Sequence, residues 1–246
     1  MTDDAADTDP EPASRRAWYL RGVRATFSIP GFILTSAFVG FAGLAREAGL
    51  TLAEAVFMTG VVWALPANVV LVGAILSGSS LAAAAFAVAL SSVRLMPMVV
   101  ALVPEMRGSR TPRWVLYALS HFVAVTSWVL AMENLRHVPR EMRTSYYAGL
   151  GSTLVLTNMV VVAIVFLIAG SLPPAASAAL LLLTPMYFLT SLWGSAREQA
   201  GHVAMLIGIV LGPAFHAIIP GFDLLAAGLV GGFAAYGFHR LRRGRA

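Results

Sequence analysis

The sequence predicts an all-α integral membrane protein, a polytopic bundle of seven to eight transmembrane helices, and three observations carry that expectation. The 246 residues are 58% hydrophobic and only 12% charged, about half the charged share of an ordinary soluble domain. Mean hydropathy is +0.78. Apolar stretches of about 20 residues recur along the chain, the length an α-helix needs to cross a hydrocarbon core of roughly 30 Å.

The chain opens on MTDDAADTDPEPAS, which holds five of the twelve acids (Asp3, Asp4, Asp7, Asp9 and Glu11). Residues 1–21 therefore read as a disordered cytoplasmic tail, acidic first and basic after. This start lacks the basic lead, short apolar core and small-residue cleavage site of a secretory signal. Candidate spans follow at 25–45, 52–76, 81–103, 114–132, 148–169, 175–193, 203–219 and 222–239, forming one transmembrane domain over 22–240. The last two are short and glycine-rich, and read as two thin spans or one re-entrant unit. Residues 241–246 make a basic C-terminal tail.

All seventeen basic side chains are arginine. With the N-terminus inside and eight crossings, twelve fall on inside segments, in the groups 15–24, 136–143, 197 and 240–245, and four fall outside, Arg46, Arg107, Arg110 and Arg113. That bias places both termini in the cytoplasm. The 107–113 cluster runs against it, and one re-entrant early segment would account for the discrepancy. Nucleic acid is not the implied partner, despite a pI near 10.2: the arginines sit at the ends of apolar segments, as loop anchors do, without interleaved aromatics.

The absence of cysteine removes disulfides and thiol chemistry. No phosphate-cradling loop, dinucleotide-binding glycine pattern or metal-spaced histidine pair is present, so the sequence carries no soluble-enzyme motif and implies no cofactor. A secondary transporter, a channel, a membrane-embedded enzyme and a structural subunit remain.

Helix breakers fall inside the apolar segments: Pro30–Gly31, Pro66, Pro97, Pro185, Pro213 and Pro220. A proline at membrane depth frees a carbonyl that protein or cavity water must satisfy, so such breaks are candidate binding positions as well as ordinary kinks. GLTLAEAVFMTGVVWALPANVV and GSLPPAASAALLLLTPMYFL, about 120 residues apart, echo each other as the repeats of secondary transporters do.

Ionisable residues at depth are few. Arg94 lies about 3 Å along the axis from the centre of the 81–103 run, where a charge costs about 2.5–3.5 kcal/mol on insertion scales. Four readings stay open: snorkelling to a head group, a structural ion pair, a link to carbonyls freed near Pro66 or Pro97, and a clamp on an anionic ligand. The acids Glu54, Glu105, Glu133 and Asp223 lie at span ends. The fork of a guanidinium matches a carboxylate, so the partner is either a transported amino acid or a second subunit. Ser91 and Pro97 share the face of Arg94. Asn68, just past the break at Pro66, suits a ligand, a freed carbonyl or helix–helix contact. His121 reads as a proton relay or a structural histidine, His216 as structural, and Trp63, Trp128 and Trp193 as interfacial anchors by default, or else as cavity walls.

GLTLAEAVFMTGVVWALPANVVLVGAIL, SSVRLMPMVVALVPEMRG and AMLIGIVLGPAFHAIIPGFDLLAAGLVGGFAAY together resemble the AzlC-type branched-chain amino acid permeases, the larger subunits of two-component exporters, over most of 22–238. The resemblance implies export of branched-chain or similar small apolar amino acids across the bacterial inner membrane, driven by an ion gradient, with a small membrane subunit of AzlD type as partner. On that footing Arg94 binds the substrate carboxylate, Asn68, Ser91, Ser92 and Pro66 line the site, and His121 couples protons. The chain departs from the family pattern in three places. Asn68 replaces a usual glutamine, Ser92–Leu95 replaces an Asn-Leu-Arg-His run, and Ser120–His121 replaces an Asp-Glu pair. The rival reading is a non-transporting scaffold or assembly subunit whose Arg94 pairs with a partner protein.

Overall fold

The computed structural model describes residues 14–171, residues 173, 175–176, 178–179, 182–183, 186, 189–190 and 193, and then 199–218 and 223–243. Contacts divide the chain into two units, 1–184 and 185–246. All regular elements among the described residues are helical.

In the first unit these are α1 (Arg15–Ala25), α2 (Ile29–Glu47), α3 (Leu52–Val61), α4 (Leu65–Leu76), α5 (Leu81–Ser92), α6 (Met96–Met106), α7 (Arg113–Ser120), α8 (Val125–Asn134) and α9 (Arg143–Ala169). A 3-10 turn, Val93–Leu95, joins α5 to α6, so that Leu81–Met106 is one rod of 26 residues. Among the described residues, three segments are long and apolar enough to cross a membrane: Ile29–Glu47, Leu81–Met106 and Arg140–Ala169.

The long α9 serves as a ruler for depth. At its start, Arg143 Nη1 meets a Glu105 carboxylate oxygen at 2.8 Å and the Glu105 carbonyl at 2.9 Å, which ties the end of α6 to this near end. At its other end, Arg46 Nη1 donates to the Phe166 carbonyl at 2.9 Å, which ties the end of α2 to the far end. The rod 81–106 therefore begins at the far end and runs opposite to α9.

The segments between the rods do not cross. A capping box in which Thr51 and Glu54 serve each other's backbone N–H starts α3, which descends from the far end until Gly60 meets Met159, about half-way along α9. There the chain breaks, and α4 climbs back to the far end and turns through 77–80 into α5. The second segment mirrors the first. From the near end α7 rises until Phe122 packs on Gly151. The chain breaks again, and α8 returns past Ser127, whose hydroxyl accepts from Tyr147 at 3.4 Å, to the near-end turns 135–142. Each expected span, 52–76 and 114–132, is thus a re-entrant hairpin of two short helices. The hairpins start 61 residues apart, at Leu52 and Arg113, and enter from opposite ends, as an inverted repeat.

Pro66 explains the first break. It occupies the first turn of α4, where the missing N–H costs no helical bond, while its ring excludes a helical carbonyl four residues back, at Val62, so α3 cannot run on into α4 as one helix. Pro30 and Pro97 likewise open helices. The second break contains neither proline nor glycine and is held by Ser127. Its hydroxyl accepts from the Ala124 N–H at 2.9 Å and donates toward the Phe122 carbonyl at 2.6 Å.

The hairpins also correct the expected arginine distribution. Arg140 Nε donates to the Arg107 carbonyl at 3.2 Å, and Glu141 accepts from both the N–H and the hydroxyl of Ser109 at 3.0 and 2.9 Å. The 107–113 cluster therefore lies at the same end as 136–143, not opposite to it. Arg15, at the start of α1, faces the same near-end cavity as Arg110 and Glu141.

Helix α1 crosses α9 at backbone contact distance. A methyl added at Gly22 would fall 2.0 Å from the Tyr146 carbonyl oxygen, and one at Gly149 would fall 2.1 Å from that of Tyr19. Small residues permit this approach in helices buried in lipid. In the second unit, α10 (Gln199–Ile218) pairs with α11 (Asp223–Arg243), and a methyl added at Gly231 would lie 3.5 Å from the Ile207 side chain at the seam. Pro213 lies inside α10. Pro185, Pro220 and much of the expected span 175–193, with the second copy of the 120-residue echo, lie outside the described residues.

Candidate functional site at the hairpin tips

The two breaks meet. The backbone of Trp63 has φ +53°, a left-handed conformation that costs a bulky residue energy and persists only where its surroundings enforce it. Its indole is 2% exposed, lies parallel to the Phe38 ring at 5.8 Å, and donates from Nε1 to the Phe122 carbonyl at 3.2 Å. In return, His121 Nε2 lies 3.0 Å from the Gly60 carbonyl. A carbonyl only accepts, so Nε2 carries the hydrogen and Nδ1 is the ring atom left for other chemistry. Each tip thus satisfies a carbonyl that the other break has freed, as a membrane interior requires.

Two helices begin at these tips and point in opposite directions. Neither α4 nor α8 has a hydroxyl or carboxamide at its N-cap, which is Ala64 in one and Ala124 in the other. Their amino-terminal N–H groups and positive dipole ends therefore face the middle of the bundle from both sides, a setting that favours negative charge.

Buried polar groups surround the junction. Asn68, one turn into α4, is 0% exposed, and neither its Nδ2 nor its Oδ1 has a hydrogen-bond partner among the described residues. Its side chain leans back toward the start of α4, as helical side chains do. Leaving such a group unpaired costs about 1–3 kcal/mol. Asn158 precedes the methionine that packs on Gly60 and is also fully buried; its Nδ2 donates to the Leu154 carbonyl at 2.7 Å and its Oδ1 has no partner. Trp128, one turn into α8 as Asn68 is into α4, buries an unpaired indole N–H.

Of the residues singled out from sequence, Pro66, Asn68 and His121 come to the tips, with Pro66 half-buried and His121 exposed. The others lie on the neighbouring rod. Because α4 and α5 are adjacent, of equal length and joined by a tight turn, the 3-10 turn that carries Arg94 sits level with the start of α4. Arg94 is exposed there, Ser91 and Ser92 are half-buried, and the Ser92 hydroxyl donates to the Val88 carbonyl at 2.8 Å. Trp63, expected as an interfacial anchor, is instead the centre of the junction. Trp193 packs edge-on to His202 in the second unit. The side chain of His216 lies outside the described residues. Ser127, Tyr147 and Asn158 carried no signal in the sequence, since nothing marked 121–124 as a break.

A sequence model for the family described as AzlC protein matches residues 31–172, a stretch that contains both hairpins and the junction between them. No curated protein and no solved structure matches the chain.

Proposed function

The chain belongs to the AzlC family, whose pattern covers more than half of it, and from that footing we propose that it is the permease subunit of a secondary transporter exporting branched-chain or similar small apolar amino acids. The family is one of amino-acid transporters rather than enzymes, and the apolar helices are those of a multi-pass membrane protein. One observation carries the finer reading: two helices broken half-way across meet from opposite ends, with helix starts and an unpaired, buried Asn68 at the junction. Secondary transporters place substrates at such broken helices.

In this reading the substrate carboxylate is drawn by the starts of α4 and α8 and clamped by Arg94 at the same depth. Asn68, Pro66, Ser91 and Ser92 line the site, and His121 exchanges the coupling proton through Nδ1. The near end, with the arginines of 107–113 and 136–143, faces the cytoplasm of a bacterium across its inner membrane, following the positive-inside rule. An AzlD-type subunit covers the rod 81–106, of which only Ala84, Leu102 and Met106 are buried among the described residues.

The test is efflux of labelled leucine from cells loaded with a leucine-containing dipeptide, with and without the protein and its small subunit. Efflux that depends on the protein supports the reading, and efflux indifferent to it overturns it. Loss of the complex rather than of flux in Arg94→Gln would favour a scaffold.

A further inference from the structure

At the near end of the first unit a cavity of about 360 Å³ opens among the first turns of α1, α7 and α9. Its mouth is polar and its floor is not. Arg15 and Arg110 stand at the mouth beside Glu141, Thr144 and Ser145, while Val115, Leu119 and Ala148 form the floor. We propose that this cavity binds the phosphate of an anionic membrane lipid, with the upper part of an acyl chain on the apolar floor.

The charge at the mouth favours an anion. Two guanidiniums face one carboxylate, and the Oε1 of Glu141 is already committed to the N–H and hydroxyl of Ser109. Thr144 and Ser145, on the first turn of α9, make no side-chain hydrogen bond among the described residues, so their hydroxyls are available as donors to phosphate oxygens. Guanidinium and hydroxyl donors together match a phosphate's acceptor geometry. Neither α7 nor α9 has a side-chain cap at its start, and their dipoles add to the same field.

The floor and its surroundings point to a lipid rather than a soluble anion. Val115 and Leu119 are one turn apart on α7, and Ala148 is one turn past Thr144 on α9, so one face of each helix grades from polar to apolar going into the bundle. Beside the cavity, α7 turns Trp114 and Tyr117 outward, 71% and 76% exposed. Exposed tryptophan and tyrosine mark the head-group level of a membrane, and basic pockets at that level between helices suit anionic head groups. This site is separate from the hairpin tips and does not depend on what crosses there.

Thermal unfolding of the full-length protein in a neutral detergent tests the proposal, with short-chain phosphatidylglycerol, short-chain phosphatidylcholine or inorganic phosphate added at equal concentrations. Phosphatidylglycerol should raise the melting temperature by a few degrees, phosphatidylcholine and phosphate by much less. Arg110→Gln, in an exposed loop, should weaken half-saturation about tenfold, as the loss of a charged hydrogen bond does. Ala148→Phe should remove the shift by filling the floor while both arginines stay. An equal shift with phosphatidylcholine, or an undiminished phosphatidylglycerol shift in either variant, would overturn the site. A full shift with phosphate alone would overturn the lipid as its occupant.

Discussion

The indole N–H of Trp63 lies 3.2 Å from the carbonyl oxygen of Phe122, 59 residues further along the chain, and joins one helix break to the other. In Trp63→Phe the ring on Phe38 is kept and the donor is lost, while the Phe122 carbonyl retains the Ser127 hydroxyl. Stability should fall by about 1 kcal/mol, the net worth of one hydrogen bond. Trp63→Ala removes the ring as well and should cost about 3–5 kcal/mol. Denaturant unfolding in detergent compares the two, and an unchanged midpoint in Trp63→Phe would show that the hydrogen bond does not matter.

Asn68→Leu separates a ligand-binding side chain from a structural one. The substitution keeps the branched four-atom skeleton of the side chain and removes two buried polar atoms that have no partner among the described residues. Stability should be unchanged or should rise by about 1 kcal/mol or more, and leucine efflux should be lost. A fall in melting temperature with efflux retained would remove Asn68 from the site.

Gly22→Ala and Gly149→Ala should each destabilise by about 1–3 kcal/mol, because the added methyl meets rigid backbone and pushes α1 off α9. Gly73→Ala is the control. Nothing lies within 4 Å of its new methyl, and stability should hold or rise by up to about 1 kcal/mol. Unfolding midpoints of the three variants decide the matter.

The hairpins fix which loops share a side. Because the chain has no cysteine, Ser79→Cys and Ser109→Cys each introduce a lone thiol. A membrane-impermeant maleimide applied to intact cells should label Ser79→Cys and spare Ser109→Cys until the membrane is opened. Spans that crossed at 52–76 and 114–132 would give the reverse pattern.

Arg94→Gln should abolish leucine efflux while the protein still inserts and still co-purifies with its small subunit. Normal efflux would exclude Arg94 from the substrate path.

Half of the central architecture was legible in the sequence. Pro66 announced the first break and drew attention to Asn68, and the misplaced arginines at 107–113 already asked for a segment that turns back. The second break stayed hidden because Ser127 bends the chain through hydrogen bonds, without the proline or glycine that sequence reading relies on. For the same reason the 61-residue repeat leaves no trace in residue identity: the hairpins share a path but not a motif, and Asn68 has Trp128 as its counterpart. Trp63 read as an anchor because its partner is a backbone carbonyl, which leaves no trace in residue identity.

The opposed entry of the two hairpins has a consequence for the sense of net flow. A solute held where they touch is about as far from one bathing solution as from the other, and the elements that would release it to either side are built alike. For the proposed transporter, such a framework decides what passes and leaves the direction to the electrochemical difference across it, so vesicles with that difference reversed should fill rather than empty.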